Sequence, residues 1–229
     1  MILNFVEKFP NTTDCFSFFF NSTTGPVIFK AGQHMNFTLP HDNPDDRGIS
    51  RFFTIASAPH ESRIMITTRI AREQSSTFKK ALMGMEKGRD ISALPPQGEF
   101  IIEDYSKSYV FVAGGIGITP FRAILFDLDY NKKLKEMEIL LLYSNRSNEI
   151  AFREEFDFLA NQNTSLKVRY VISPEVCNIE MLRIAIPFYR DKTYYISGPP
   201  GMVKSIGDSL AADNIPDSQF KHDFFPGYQ

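Results

Sequence analysis

The stretch that most constrains the fold is Tyr109–Ile124, YVFVAGGIGITPFRAI. Tyr109–Ala113 are apolar or aromatic without alternation, as in a strand covered on both faces. Gly114, Gly115 and Gly117 then break the run. Thr119 is placed to cap a helix and Pro120 to begin it, and Phe121, Ile124, Leu125 and Leu128 follow at helical spacing. A strand, a glycine turn and a helix in that order aim free N–H groups and a partial positive charge back at the turn. The residues themselves leave two readings open, a cradle for a nucleotide pyrophosphate or an ordinary β–α connection. The turn reads GGIGITP, which is not GxGxxG.

The texture on either side differs. From Met1 to about Asp104, short segments rich in Phe, Ile and Thr are separated by Gly, Pro, Asn and Asp: Phe16–Phe20, Val27–Phe29, Met35–Leu39, Phe52–Ala56, Ile64–Ile70 and Asp90–Leu94. That spacing predicts an antiparallel β-barrel or sandwich. One helix, Phe78–Met85 with Thr77 as its cap, interrupts it. From Ser106 onward strands alternate with helices, which predicts a parallel sheet with covering helices. The expected strands are Tyr109–Ala113, Glu138–Tyr143, Lys167–Ile172 and Thr193–Ser197. The expected helices are Pro120–Tyr130, Ala151–Ala160, Glu180–Ile186 and Met202–Ala211. With 229 residues there is room for two domains, expected at 1–104 and 105–229 with the junction in Phe100–Lys107.

Composition narrows the function classes. A net charge of -2 argues against nucleic acid as the main partner. Two cysteines, Cys15 and Cys177, exclude a four-cysteine iron–sulfur site built from this chain, and no metal site is expected. No stretch reaches membrane-spanning length and the N-terminus lacks a signal-peptide pattern, so a soluble cytoplasmic protein is expected.

Several further stretches carry polar groups that suit a ligand, each with a plain structural reading beside it. Arg51-Phe52-Phe53-Thr54 alternates Arg51 and Phe53 onto one face, to hold a phosphate and stack a planar ring, or to be a solvated Arg beside core aromatics. Ser75-Ser76-Thr77 offers hydroxyls to an anion or simply caps the helix. Arg63, Arg69, Arg72, Lys79, Lys80, Lys87 and Arg89 form a basic stretch, a candidate dock for an acidic partner or a solvated face. Ser144 and Arg146 follow the second parallel strand, where they can grip an adenosine ribose or its 2′-phosphate or form a polar loop. Gly198-Pro199-Pro200-Gly201 makes a rigid turn open to a planar ligand or a plain β–α turn, and the aromatic C-terminal segment packs into either core or ligand.

Together these pieces resemble the ferredoxin–NADP reductase superfamily over nearly the whole chain, in order. RFFT at Arg51–Thr54 is similar to its flavin motif, QSSTF at Gln74–Phe78 to its flavin-phosphate loop, AGGIGITP at Ala113–Pro120 to its pyrophosphate loop, SGPPGM at Ser197–Met202 to its nicotinamide loop, and the ending to the Phe-x-Gly-Tyr tail of bacterial members. The resemblance implies FAD and NADP (or NAD) as cofactors. Arg51 would pair with the FAD pyrophosphate, Phe53 would stack near the flavin ring, and Thr54 would hydrogen-bond flavin N5. Backbone around Ile66, Thr67 and Thr68 would line the flavin, and Ser76 and Thr77 would hold its phosphate. Gly115, Gly117 and Thr119 would take the nucleotide pyrophosphate, Ser144 and Arg146 the adenosine end, and Gly198, Pro199 and Met202 the nicotinamide. Thr54, Ser197, Asp223 and Phe225 would form the catalytic group. The implied activity is hydride transfer from NAD(P)H to FAD, then electron delivery to a carrier such as ferredoxin or flavodoxin. The alternative is a reductase component or nucleotide-binding subunit of a multi-protein oxygenase or similar complex. Three departures stand out: Phe53 where Tyr is common, Ser197 where the family has Cys, and no cysteines for a fused iron–sulfur domain.

Overall fold

The structure is a computed structural model that describes residues 1–71 and 75–224. The first half is a six-stranded antiparallel sheet built from β1 (Ile2–Pro10), β2 (Cys15–Ser22), β3 (His34–Thr38), β4 (Ser50–Thr54), β5 (Ile64–Arg69) and β6 (Asp90–Ala93), in the order β4-β3-β6-β1-β2-β5. Just past β4, the Ala56 N–H donates to Met65 O in β5 at 2.7 Å, so the two edges of the sheet meet and it closes on itself as a barrel. Its interior is aromatic and aliphatic: Phe5, Phe18, Phe20, Met35, Phe37, Phe53 and Ile66 are buried, and helix α1 (Thr77–Met83) lays Phe78 and Leu82 across one end.

Two expectations fail here for physical reasons. Val27–Phe29 is not a strand, although Val27 and Phe29 pack on the barrel interior; their apolar pattern records burial without ladder partners. The cap of α1 is Ser76, whose hydroxyl accepts from Lys79 N, and Thr77 is the first helical residue. The N-terminal strand β1 lacks a regular alternation in its sequence, because a bulge between Phe5 and Glu7 interrupts it.

The second half is a five-stranded parallel sheet of β7 (Ser108–Gly114), β8 (Glu138–Asn145), β9 (Leu166–Ile172), β10 (Thr193–Gly198) and β11 (Phe220–Phe224), in the order β11-β10-β7-β8-β9. Helices α2 (Thr119–Tyr130) and α3 (Arg153–Gln162) cover one face, and α4 (Ile179–Ala185) and α5 (Pro200–Ala212) the other. The unbroken apolar run of β7 follows from this: Tyr109, Phe111 and Ala113 pack toward α2, while Val110 and Val112 pack toward α5. Phe111 stacks on Phe121 of α2 at 4.8 Å. Cys15, Ala31, Ala56, Met65 and Phe100 join the α2 side of this core, so the barrel and the parallel sheet share one apolar interface.

Thr119 is not a cap. Gly115–Ile118 already forms a 3₁₀ turn, helical bonding starts one turn early, and the Thr119 hydroxyl donates to Ile116 O at 3.2 Å. Phe220–Phe224, read from sequence as part of an aromatic tail, instead adds a parallel strand along β10. Among the described residues no helix is long and apolar enough to cross a membrane.

Candidate functional site

The end of β11 reaches the end of β4, and β10 and then β7 follow β11 in the sheet. Register places Ser197 beside Ala113 on one side and Asp223 on the other. Thr54, the last residue of β4, lies next to Asp223. Burial pushes the Asp223 carboxyl up to about 6, and the neighbouring Thr54 hydroxyl opposes that rise. Thr54 and Ser197 are 3% and 0% exposed, yet among the described residues neither hydroxyl has a partner in hydrogen-bonding geometry. A buried hydroxyl left unmatched costs about 1–3 kcal/mol. Two of them at one junction fit a group that arrives with matching polar atoms, as the implied flavin and nicotinamide would. Phe225 lies outside the described residues.

The two nucleotide loops interlock. A Cβ on Gly117 would sit 2.3 Å from Ser197 O, and one on Gly198 3.0 Å from the Gly114 backbone. A Cβ on Gly114 would meet Met202 at 2.7 Å and Pro199 at 2.8 Å. Gly114, absent from the sequence-derived site, is therefore needed for contact between loops. Within the first loop Gly115 has open space around it, at a φ of 53°. Pro199 precedes α5, and its carbonyl accepts from Met202 N at 3.0 Å and Val203 N at 3.1 Å. Ser144 ends up inside β8, and Arg146 is exposed just beyond it with no ion pair among the described residues.

On the barrel side the polar groups are more occupied than the sequence suggests. Arg51 donates to Asp45 at 2.8 Å and to the carbonyls of Arg47, Gly48 and Ser50. The Asp45 carboxylate also accepts from Thr77 N at 3.1 Å, and the Thr77 hydroxyl accepts from Asp45 N at 2.9 Å. A phosphate at Arg51 has to share or displace Asp45. The Ser75 hydroxyl is the buried one left without a partner in this loop among the described residues, while Gln74 lies outside them. Phe53 faces α1 with Arg51, packed on Phe37 and Phe78; Phe52 is the exposed aromatic of the motif, at 54%. In β5, Ile66, Thr67 and Thr68 are buried, and Thr67 is bonded to Ser17 at 2.7 Å.

The basic stretch does not form one open face. The Lys79 ammonium donates to Arg69 O at 2.9 Å and burial pushes its pKa down to about 8. Arg63 pairs with Glu7, Arg69 with Asp14, and Arg89 donates to Pro40 O; Arg72 lies outside the described residues.

Comparison with known proteins agrees with this layout. Residues 111–208 match the oxidoreductase NAD-binding domain family. The stachydrine N-demethylase reductase subunit Stc4 of Rhizobium meliloti is 24% identical over 99% of this chain and 67% of its own. The flavohem-like FAD/NAD-binding domain of nitric oxide dioxygenase from Vibrio cholerae superposes with a TM-score of 0.81 at 19% identity, covering 98% of both chains. Ferredoxin–NADP+ reductase from Plasmodium falciparum gives a TM-score of 0.78 at 15% identity, covering 98% of this chain and 95% of its own. The chain spans about two thirds or less of the length of the curated relatives it matches. The segment 111–208 is therefore similar to the NAD-binding domain of oxidoreductases. The chain as a whole has the fold of the ferredoxin–NADP reductase superfamily, in which an FAD-binding barrel precedes an NAD(P)-binding α/β domain.

Proposed function

We propose that this chain is an FAD-dependent NAD(P)H oxidoreductase that delivers electrons to a separate one-electron carrier. The observation that carries the reading is the meeting of Thr54, Ser197 and Asp223 at the barrel–sheet junction, with two buried hydroxyls unmatched among the described residues. Bound FAD would supply a hydride acceptor able to release its electrons one at a time. The protein's part is alignment and proton control. Thr54 and Ser197 present hydroxyls to the ligands, and Asp223, its carboxyl pushed up to about 6, can take up and release a proton there. Arg51, Phe53, Ser76 and Thr77, with the backbone of 66–68, would hold the flavin. Gly115, Gly117, Thr119, Gly198, Pro199 and Met202 would shape the nucleotide groove. Ferredoxin or flavodoxin suits the carrier chemically. The similarity to a reductase subunit supports a second reading, in which the carrier is the partner component of an oxygenase-type system.

The test is anaerobic titration with NADPH and NADH while the visible flavin spectrum is followed. Rapid bleaching by either nucleotide is expected. Protein that binds no flavin, or flavin that neither nucleotide bleaches, overturns the reading.

Arg146 is proposed to face a 2′-phosphate, since a guanidinium matches it bidentately. Arg146→Ala is therefore expected to raise KM for NADPH by about tenfold, the scale of one charge-assisted hydrogen bond, and to leave NADH within about twofold. Equal effects on both nucleotides would remove Arg146 from the adenosine end.

A further inference from the structure

Arg122 is the only buried cationic side chain among the described residues, at 6% exposure. It sits on α2 three residues after Thr119, yet its partners lie elsewhere in the chain. Its Nη1 donates to Ala56 O at 3.0 Å and to Glu61 at 2.8 Å; Nη2 donates to Glu61 at 3.0 Å and reaches Glu155 at 2.7 Å; Nε donates to Glu155 at 2.9 Å. Four of the five N–H groups of the fork thus donate hydrogen bonds, and Nη2 also lies in ion-pair contact with Glu155. The rings of Phe126 and Phe152 lie at 4.6 and 5.3 Å from the guanidinium carbon. Glu61 is itself fixed, accepting from Ala58 N at 2.5 Å.

We infer that Arg122 is the positioning residue that sets the spacing between the two halves of the site; the inference rests on the hydride-transfer reading above. Ala56 lies two residues beyond Thr54, a reach of ~7 Å in extended chain. Arg122 lies three residues beyond Thr119, ~5 Å along a helix. One guanidinium therefore ties the strand end that presents Thr54 to the helix that begins at the nucleotide turn, close to both. The Ala56 N–H is held at the same time by Met65 O at 2.7 Å, so the tie reaches the barrel wall rather than a free loop. The charge count sharpens the argument. Two carboxylates face one cation, so removing Arg122 leaves Glu61 and Glu155 opposed across the interface, which drives the halves apart as well as releasing them. Lysine keeps the charge but lacks the planar fork needed to hold Ala56 O and two carboxylates together.

A role confined to stability and a role in positioning give different results. In Arg122→Gln, the flavin reduction rate at saturating nucleotide is expected to fall about 10–100-fold, the cost of a displacement of about 1 Å at a reacting centre. The nucleotide Kd should stay within about threefold, because the nucleotide loops keep their own contacts. Arg122→Lys should recover part of the rate. Hydrogen exchange on flavin-free protein supplies a readout independent of activity: the segments around residues 56–61 and 119–126 should exchange faster in the variant, while the barrel interior does not. Should Arg122→Gln fail to fold, Glu61→Gln removes one arm of the same clamp and should give a smaller change of the same kind. An unchanged saturating rate, in either variant, overturns the inference even if the interface exchanges faster. Unchanged exchange at the interface overturns it equally. If the unmodified protein is not reduced by NAD(P)H, the functional reading fails, and the exchange comparison still decides whether Arg122 clamps the two halves.

Discussion

Gly117→Ala is expected to lower kcat/KM for NAD(P)H by about 100-fold or more while leaving the barrel folded, the scale of a misplaced reacting centre. Catalysis that depends on two rings meeting is lost steeply once the groove that aligns them shifts. The added methyl would lie 2.3 Å from Ser197 O, 2.5 Å from its carbon and 2.6 Å from Gly198 Cα. These are backbone atoms, so no rotamer relieves the contact. Strand β10 cannot retreat, because it is hydrogen-bonded to β7 on one side and β11 on the other. The turn Gly115–Ile118 must move instead, and with it the start of α2. Gly115→Ala is the control. Its Cβ meets nothing within 4 Å, and only the φ of 53° is strained, at a cost of about 1–2 kcal/mol. A severalfold loss is expected there. Flavin absorbance should be retained in both variants, since the barrel interior is a separate core. Equal and small effects at the two glycines would show that the loops do not need their mutual contact.

The contrast between these glycines marks what the sequence can and cannot express. Glycines between a buried strand and a helix read clearly as a close-approach turn, because β7 and α2 are local patterns. Which glycine faces open space and which faces Ser197 depends on β10, some eighty residues on. Arg122 gave no local signal, since its partners Glu61 and Glu155 lie 61 and 33 positions away. The engagement of Arg51 by Asp45 was equally invisible, as RFFT looks the same with or without a carboxylate beside it. Strand β11 was missed because FKHDF has the composition of a packed tail, and only its pairing with β10 makes it a strand. Resemblance to a family links Thr54, Ser197 and Asp223, whereas periodicity alone leaves them on three unrelated segments.

Asp223→Asn is expected to make the flavin-free protein more stable at pH 8 and a poorer catalyst. The ordinary value for this carboxyl is 3.8, and burial pushes it up to about 6 in the folded chain. The protonated form is therefore the one the fold favours. Below pH 3.8 folded and unfolded chains both keep the proton, and the group costs nothing. Between 3.8 and 6 the unfolded chain releases its proton first, so stability falls as pH rises, by about 1.4 kcal/mol per unit. Above 6 the loss is complete and flat, at most about 3 kcal/mol. Asparagine cannot ionise, so the variant should gain about 1–3 kcal/mol at pH 8 and nothing at pH 3.5, read as a rise of several degrees in Tm at the higher pH alone. Function should move the other way. A carboxyl pushed up to about 6 beside Thr54 and Ser197 is suited to moving a proton, and such groups contribute about 100-fold or more. The pH dependence of electron delivery to an acceptor should lose its inflection near 6 in the variant. Higher stability with an unchanged pH profile would make Asp223 a buried acid without a part in the chemistry. Unchanged stability at pH 8 would mean that its carboxylate is solvated in the folded chain and that its proton is not held there.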